Sequence, residues 1–158
     1  MRRPLPGNAG RRAQRRGPSR SPRTPLSAPS AAIYGIGVDI LRESRIEKIW
    51  ARHGLRLADK ILCESERAAL AQARVPVRFL TKAFAIKEAC VKALGCGFTG
   101  IAYDDIGSRR DTSGKPELIF SARLRRKLDA LGVGVGHVSL SDEGGMVCAM
   151  VVLERRPV

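Results

Sequence analysis

Aromatic residues make up only 4% of this 158-residue chain. A core must therefore be aliphatic, and the 44% hydrophobic content supplies the Leu, Val, Ile and Ala for it. The same scarcity leaves few side chains for base stacking, and no RNP-type or zinc-finger motif is present. Cys63, Cys90, Cys96 and Cys148 never fall into a C-x-x-C spacing, so neither a zinc site nor a disulfide framework is signalled. They read as reduced thiols in a cytoplasmic protein. No apolar run approaches the roughly 18 residues that a membrane span needs. There is no internal repeat, and the length suits one domain of ordinary size.

Acidic residues are missing altogether from residues 1–30, which hold eight arginines, more than half of the net charge of +14, and six of the nine prolines. Such a stretch has almost nothing to bury and is expected to be a disordered basic tail over residues 1–31, ahead of a folded domain over 32–158. Three explanations stay open for it: an organelle-targeting segment, whose prolines oppose an amphipathic helix; an arm for nucleic acid or a membrane surface; or upstream sequence translated from a wrong start.

What is present reads as mixed α and β. Residues 33–40 alternate, with Tyr34, Ile36, Val38 and Ile40 on one face and Gly35, Gly37 and Asp39 on the other. Ser44-Arg45-Ile46-Glu47 has the S-x-x-E pattern of a capping box, predicting a helix from there to about Gly54. Further helices are expected over about 64–73 and 77–94, and from a Ser121 cap to Leu131. Strands are expected near 102–109, 117–120, 137–141 and 146–154. The Asp142-Glu143-Gly144-Gly145 turn predicts a closing hairpin.

Two carboxylates stand out. Asp39 sits in a strand whose same-face neighbours are glycines, which leave room for something to approach the backbone; the plainer reading is an Asp that ends a strand. Glu88 lies on or beside an apolar stripe of Phe84-Ala85-Ile86-Lys87-Glu88-Ala89-Cys90-Val91-Lys92, where an unpaired carboxylate is costly. Lys92 could pair with it as an ordinary i,i+4 salt bridge. The sharper alternative is Mg²⁺, which uses one or two carboxylates, waters and phosphate oxygens, with Lys87 and Lys92 as charges for phosphate. Gly95 and Gly97 follow a helix, unlike the glycines of a P-loop, and serve either as a helix stop or as a backbone-lined approach for a ligand. His137 and Ser139 share one face of a strand with Ser141.

Taken together, Gly35-Ile36-Gly37-Val38-Asp39-Ile40, Arg45-Ile46, Phe84-Ala85-Ile86-Lys87-Glu88-Ala89 with Lys92-Ala93-Leu94-Gly95, Asp105-Ile106, Gly114-Lys115-Pro116 and His137-Val138-Ser139-Leu140 strongly resemble holo-acyl-carrier-protein synthase, the small type of 4′-phosphopantetheinyl transferase. The resemblance covers about residues 33–155. It implies an α+β fold, an antiparallel sheet with packed helices in a single unit. It implies transfer of 4′-phosphopantetheine from coenzyme A to a serine of an apo-acyl carrier protein, releasing adenosine 3′,5′-bisphosphate. It also implies Mg²⁺ held by Asp39 and Glu88, a phosphate contact for Lys92, and His137 near the coenzyme. Lys87, Gly95, Gly97, Lys115, Pro116 and Ser139 are expected to line the coenzyme site. Either Glu88 or a metal-bound water would take the serine proton. Carrier docking would use Arg45, Arg56 and Arg52, whose plainer reading is a solvated helix face. The small type is implied to be a homotrimer with sites at subunit interfaces, its trimer burying last-strand residues such as Val147, Met150 and Val152.

Two departures bear on activity. Ala83 and Ile86 stand where the family commonly has Arg and Ala, so either Lys82 takes over from that Arg or the helix packs differently. Asp142-Glu143-Gly144-Gly145 stands where a His or Thr pair is common. The alternatives are a small basic nucleic-acid-binding protein and a structural homologue with impaired chemistry.

Overall fold

The computed structural model describes residues 32–157, so the Arg/Pro-rich segment 1–31 lies outside the described residues. In chain order the elements are β1 (Ile33–Arg42), α1 (Glu43–His53), α2 (Leu55–Ile61), α3 (Glu64–Leu70), α4 (Pro76–Leu94), a 3₁₀ turn (Tyr103–Asp105), β2 (Ile106–Arg110), β3 (Pro116–Phe120), α5 (Ala122–Ala130), β4 (Val133–Glu143) and β5 (Met146–Arg155). The strands form one antiparallel sheet in the order β1-β5-β4-β3-β2, giving the expected α+β class.

The sheet has one covered face and one open face. The long helix α4 lies across β1 and β5, and alanine and glycine set how close it comes. A Cβ on Gly35 would stand 2.0 Å from the Ala93 carbonyl oxygen, and one on Gly37 1.9 Å from that of Ala89. The room beside Asp39 is therefore filled by a helix of this chain rather than by a ligand. Under α4 lie Leu41, Val147, Ala149, Val151 and Leu153, all buried. Alternation sends Ile36, Val38, Ile40, Val135 and Met150 to the other face, where each is exposed. Val147 thus belongs to the core and not with Met150 and Val152, because a three-residue offset in a strand reverses the face.

Several ends differ from the sequence pattern. The first helix begins at Glu43 with Arg42 as N-cap and no side-chain cap, so Ser44 caps nothing. Its first N–H is satisfied instead by the Gly145 carbonyl, at 2.9 Å, from the β4–β5 turn. The short helix α2 has no counterpart in the pattern; Gly54, at φ 50°, ends α1 and starts α2 at once. The Ser121 cap is present, its hydroxyl accepting from the Leu124 N–H at 3.1 Å. The hairpin turn uses Gly144 and Gly145, both at positive φ.

Candidate active site

Because β1 and α4 cross in opposite directions, Gly35 meets Ala93 and Gly37 meets Ala89. Asp39, two residues further along β1, comes to lie beside the stretch of α4 that carries Glu88 and Lys92. Lys92 Nζ donates to Asp39 Oδ1 at 2.8 Å and to the Val38 carbonyl at 3.0 Å. Its partner is thus Asp39, a strand residue, and not Glu88 one helical turn away. The ammonium end stays accessible, with 51% of the Lys92 side chain exposed against 14% of Asp39.

Glu88 is half-buried next to this pair. Burial, followed by the negative charge of Asp39, pushes its carboxyl above the usual range, and the nearby Lys92 and Arg45 only partly offset that. Glu88 thus sits beside a carboxylate whose cation, Lys92, is bonded to Asp39 and not to it. Among the described residues no three His, Cys, Asp or Glu side chains converge as a metal cage. A hard cation here would therefore rest on two carboxylates plus oxygens from elsewhere, which suits Mg²⁺ and phosphate. Beside Glu88 stands Tyr103, which nothing in the sequence pattern singled out. Its ring stacks on Phe84 with centroids 5.5 Å apart and packs at a tilt against Phe98, 4.0 Å between centroids.

Lys87 is not part of this site. Its side chain is fully buried, with Nζ 2.7 Å from Glu66 Oε2 and a second bond to the Ile106 carbonyl. It points away from solvent toward α3 and β2, so it cannot reach a phosphate. Its expected role in coenzyme binding is corrected to a structural one.

Arg45 and Arg52 line a basic groove of about 520 Å³ together with Arg42, Lys48, Ile49 and Met146. Arg42 and Lys48 extend the charge that the resemblance places on three arginines. Arg56 lies on α2, exposed and outside that groove. Gly95 and Gly97 are explained by backbone geometry: φ is 73° and 56°, and Gly95 caps α4 through the Lys92 carbonyl at 3.0 Å.

Lys115, Pro116 and His137 meet in a separate groove of about 400 Å³, where β3 and β4 share a single residue pair and splay apart. His137 Nε2 lies 2.8 Å from Glu154 Oε1. Ser139, two residues on, shares its face of β4. Asp39 pairs with Ala149 and His137 with Val152. The odd offset puts Asp39 and His137 on opposite faces of the sheet, two strands apart, so one chain does not bring them to one small ligand. Ala83 is buried and lines an apolar cavity of about 310 Å³ with Phe79, Ile86, Pro116 and Leu140. Lys82 at its rim is bonded to Asp142 at 2.7 Å.

Residues 35–140 match the family described as the 4′-phosphopantetheinyl transferase superfamily. A holo-[acyl-carrier-protein] synthase from Pectobacterium atrosepticum is 44% identical over 124 residues, spanning 78% of this chain and 98% of that protein. The crystal structure of the Neisseria meningitidis holo-[acyl-carrier-protein] synthase is 40% identical, covers 78% of this chain and 99% of its own, and superposes with a TM-score of 0.76. That of Helicobacter pylori, solved in complex with coenzyme A, is 29% identical over 75% of this chain and 98% of its own, with a TM-score of 0.66. With that match over residues 35–140 and a relative 44% identical over 124 residues, the protein belongs to the 4′-phosphopantetheinyl transferase superfamily.

Proposed function

We propose that this protein is a holo-[acyl-carrier-protein] synthase. It transfers 4′-phosphopantetheine from coenzyme A to a serine hydroxyl of an apo-acyl carrier protein, and adenosine 3′,5′-bisphosphate leaves. The observation that carries the reading is the Asp39–Lys92 pair set beside a Glu88 whose carboxyl is pushed up by burial and by Asp39. The reaction breaks the P–O bond between the pantetheine-bearing phosphorus and the departing nucleotide, and forms a P–O bond to the serine. Charge grows on the phosphoryl oxygens and on the leaving bisphosphate, where a solvent-accessible ammonium such as Lys92 stabilises it. Mg²⁺ held by Asp39 and Glu88 would add positive charge at the same oxygens. Either Glu88 or a water on that cation would take the proton the serine gives up.

The basic groove of Arg42, Arg45, Lys48 and Arg52 supports docking of an acidic carrier surface. The Lys115–Pro116–His137 groove supports a coenzyme subsite, with Ser139 nearby. Since that groove and the carboxylate pair lie on opposite faces, the working site needs a second copy of the chain. The exposed Ile36, Val38, Ile40, Val135 and Met150 supply an apolar surface for it, and a homotrimer is the assembly we infer. A cytoplasmic setting is supported by four free cysteines. No described helix is long and apolar enough to cross a membrane.

The direct test is mass spectrometry of an apo carrier protein incubated with the full chain, coenzyme A and Mg²⁺. A gain of one phosphopantetheine is expected, and an unchanged mass would refute the proposal. Assembly is tested by light scattering. The wild-type chain should give three times the monomer mass, whereas Val38→Asp should give an inactive monomer. A fully active monomer would show that one chain completes the site.

A further inference from the structure

The apolar cavity of about 310 Å³ beside α4 has no part in the reading so far. Phe79, Ala83 and Ile86 of α4 line it together with Leu140 of β4, while three cations, Lys82, Arg109 and Arg110, stand at its rim. Two of these three charges are already matched. Lys82 lies 2.7 Å from Asp142, and Arg109 lies 3.1 Å from Glu117. Lys82, one expected substitute for an arginine at position 83, is thus already engaged. Arg110 differs from both. Its guanidinium donates to the Gly114 carbonyl, an uncharged group of the β2–β3 turn, and among the described residues no carboxylate pairs with it. One positive charge is left over at the mouth of an apolar cavity, where the low polarity of the walls strengthens any contact an anion makes.

Pro116 ties this place to the coenzyme groove. It lines both the cavity and the groove of Lys115 and His137, and it is the residue opposite Arg110 in the β2–β3 ladder. A molecule lying along that groove is carried past Arg110. Coenzyme A bears two anionic groups. Its diphosphate contains the bond that breaks and so belongs at Asp39, Glu88 and Lys92. The 3′-phosphate on the ribose is the charge left for a cation elsewhere. We propose that Arg110 is a specificity-determining residue that binds the 3′-phosphate of coenzyme A. The inference rests on the transferase reading above. Ile86 and Glu88, two residues apart, point to opposite sides of α4. The Arg110 that serves a given carboxylate pair is therefore that of a second copy in the assembly inferred above.

Two coenzymes separate this contact from a general surface charge. Transfer would be measured with the carrier saturating and either coenzyme A or 3′-dephospho-coenzyme A varied, the latter read as a competitor of coenzyme A if it turns over too slowly. The chains compared are wild type, Arg110→Ala, Arg110→Lys and Lys82→Ala. Arg110→Ala should raise the KM for coenzyme A about tenfold, the scale of one charge-assisted contact. Its affinity for the dephospho compound should match that of wild type, and Arg110→Lys should recover part of the loss. An unchanged KM for coenzyme A in Arg110→Ala would overturn the proposal. So would equal losses toward both compounds, the mark of a general effect on charge or folding. A preference for the 3′-phosphate that is lost in Lys82→Ala and kept in Arg110→Ala would overturn it as well. A wild-type chain that transfers nothing at all would overturn the transferase reading, and this inference with it.

Discussion

Two lysines five residues apart on α4 each reach a carboxylate, Lys87 to Glu66 at 2.7 Å and Lys92 to Asp39 at 2.8 Å. At that level the pairs look the same. Around Lys87 every group is satisfied: Glu66 also accepts from the Ser108 N–H at 3.0 Å, the Ser108 hydroxyl at 3.3 Å and the Cys63 N–H at 3.2 Å. The pair is shut off from water and ties α3, α4 and β2 into one body. Around Lys92 there is solvent on one side and an undercompensated Glu88 on the other. A dry, fully bonded ion pair is held in place by the cost of breaking it, whereas a wet one can exchange partners when phosphate arrives. The contrast shows that distance alone does not separate a strut from a working group; the surroundings do.

The comparison can be broken at either end. The largest effect is expected at the buried pair. Glu66→Ala leaves an ammonium without its carboxylate and should cost about 3–5 kcal/mol of stability, read from denaturant unfolding. A loss under about 1 kcal/mol would mean the pair is no strut. At the open end, Asp39→Ala and Glu88→Ala should leave unfolding almost unchanged while cutting transfer by about a hundredfold or more. Near wild-type rates at limiting Mg²⁺ would remove both carboxylates from the metal assignment. Lys92→Ala should be milder, weakening use of coenzyme A about tenfold and leaving carrier use intact, as for one charge-assisted contact; a change confined to carrier affinity would move Lys92 to the docking face. The smallest effect belongs to Arg45→Glu. It should slow reaction mainly through carrier binding, and wild-type rates should fall with added salt, since charge reaches only about 8 Å at physiological ionic strength. Salt-independent rates would disprove electrostatic docking.

Local pattern announced some of this and hid the rest. Asp39 and Glu88 were visible because each is a carboxylate in an apolar run, a local contradiction that calls for a partner. The hairpin and the Ser121 cap were visible because turn and cap chemistry is written within a few residues. Lys87 was misread because its partner, 21 residues away, sits in Glu64–Leu70, a short helix whose charged sequence looks like a solvated surface. The helix start at Glu43 was missed because the carbonyl that satisfies it comes from Gly145, a hundred residues on. Tyr103 gave no signal at all, since only the fold brings it against Phe84 and beside Glu88.

Gly35 and Gly37 deserve a different description from the one their backbone gives them. They are the gauge blocks of this enzyme. The spacing between the two carboxylates is set neither by Asp39 nor by Glu88 but by the depth to which α4 settles on β1. That depth is limited by hydrogen atoms where every other residue carries carbon. A methyl group on Gly37 would have to drive the Ala89 carbonyl back by about an ångström, and a packed backbone yields only as a body. The machining tolerance of the site is thus stored two and four residues before Asp39, in side chains that are not there.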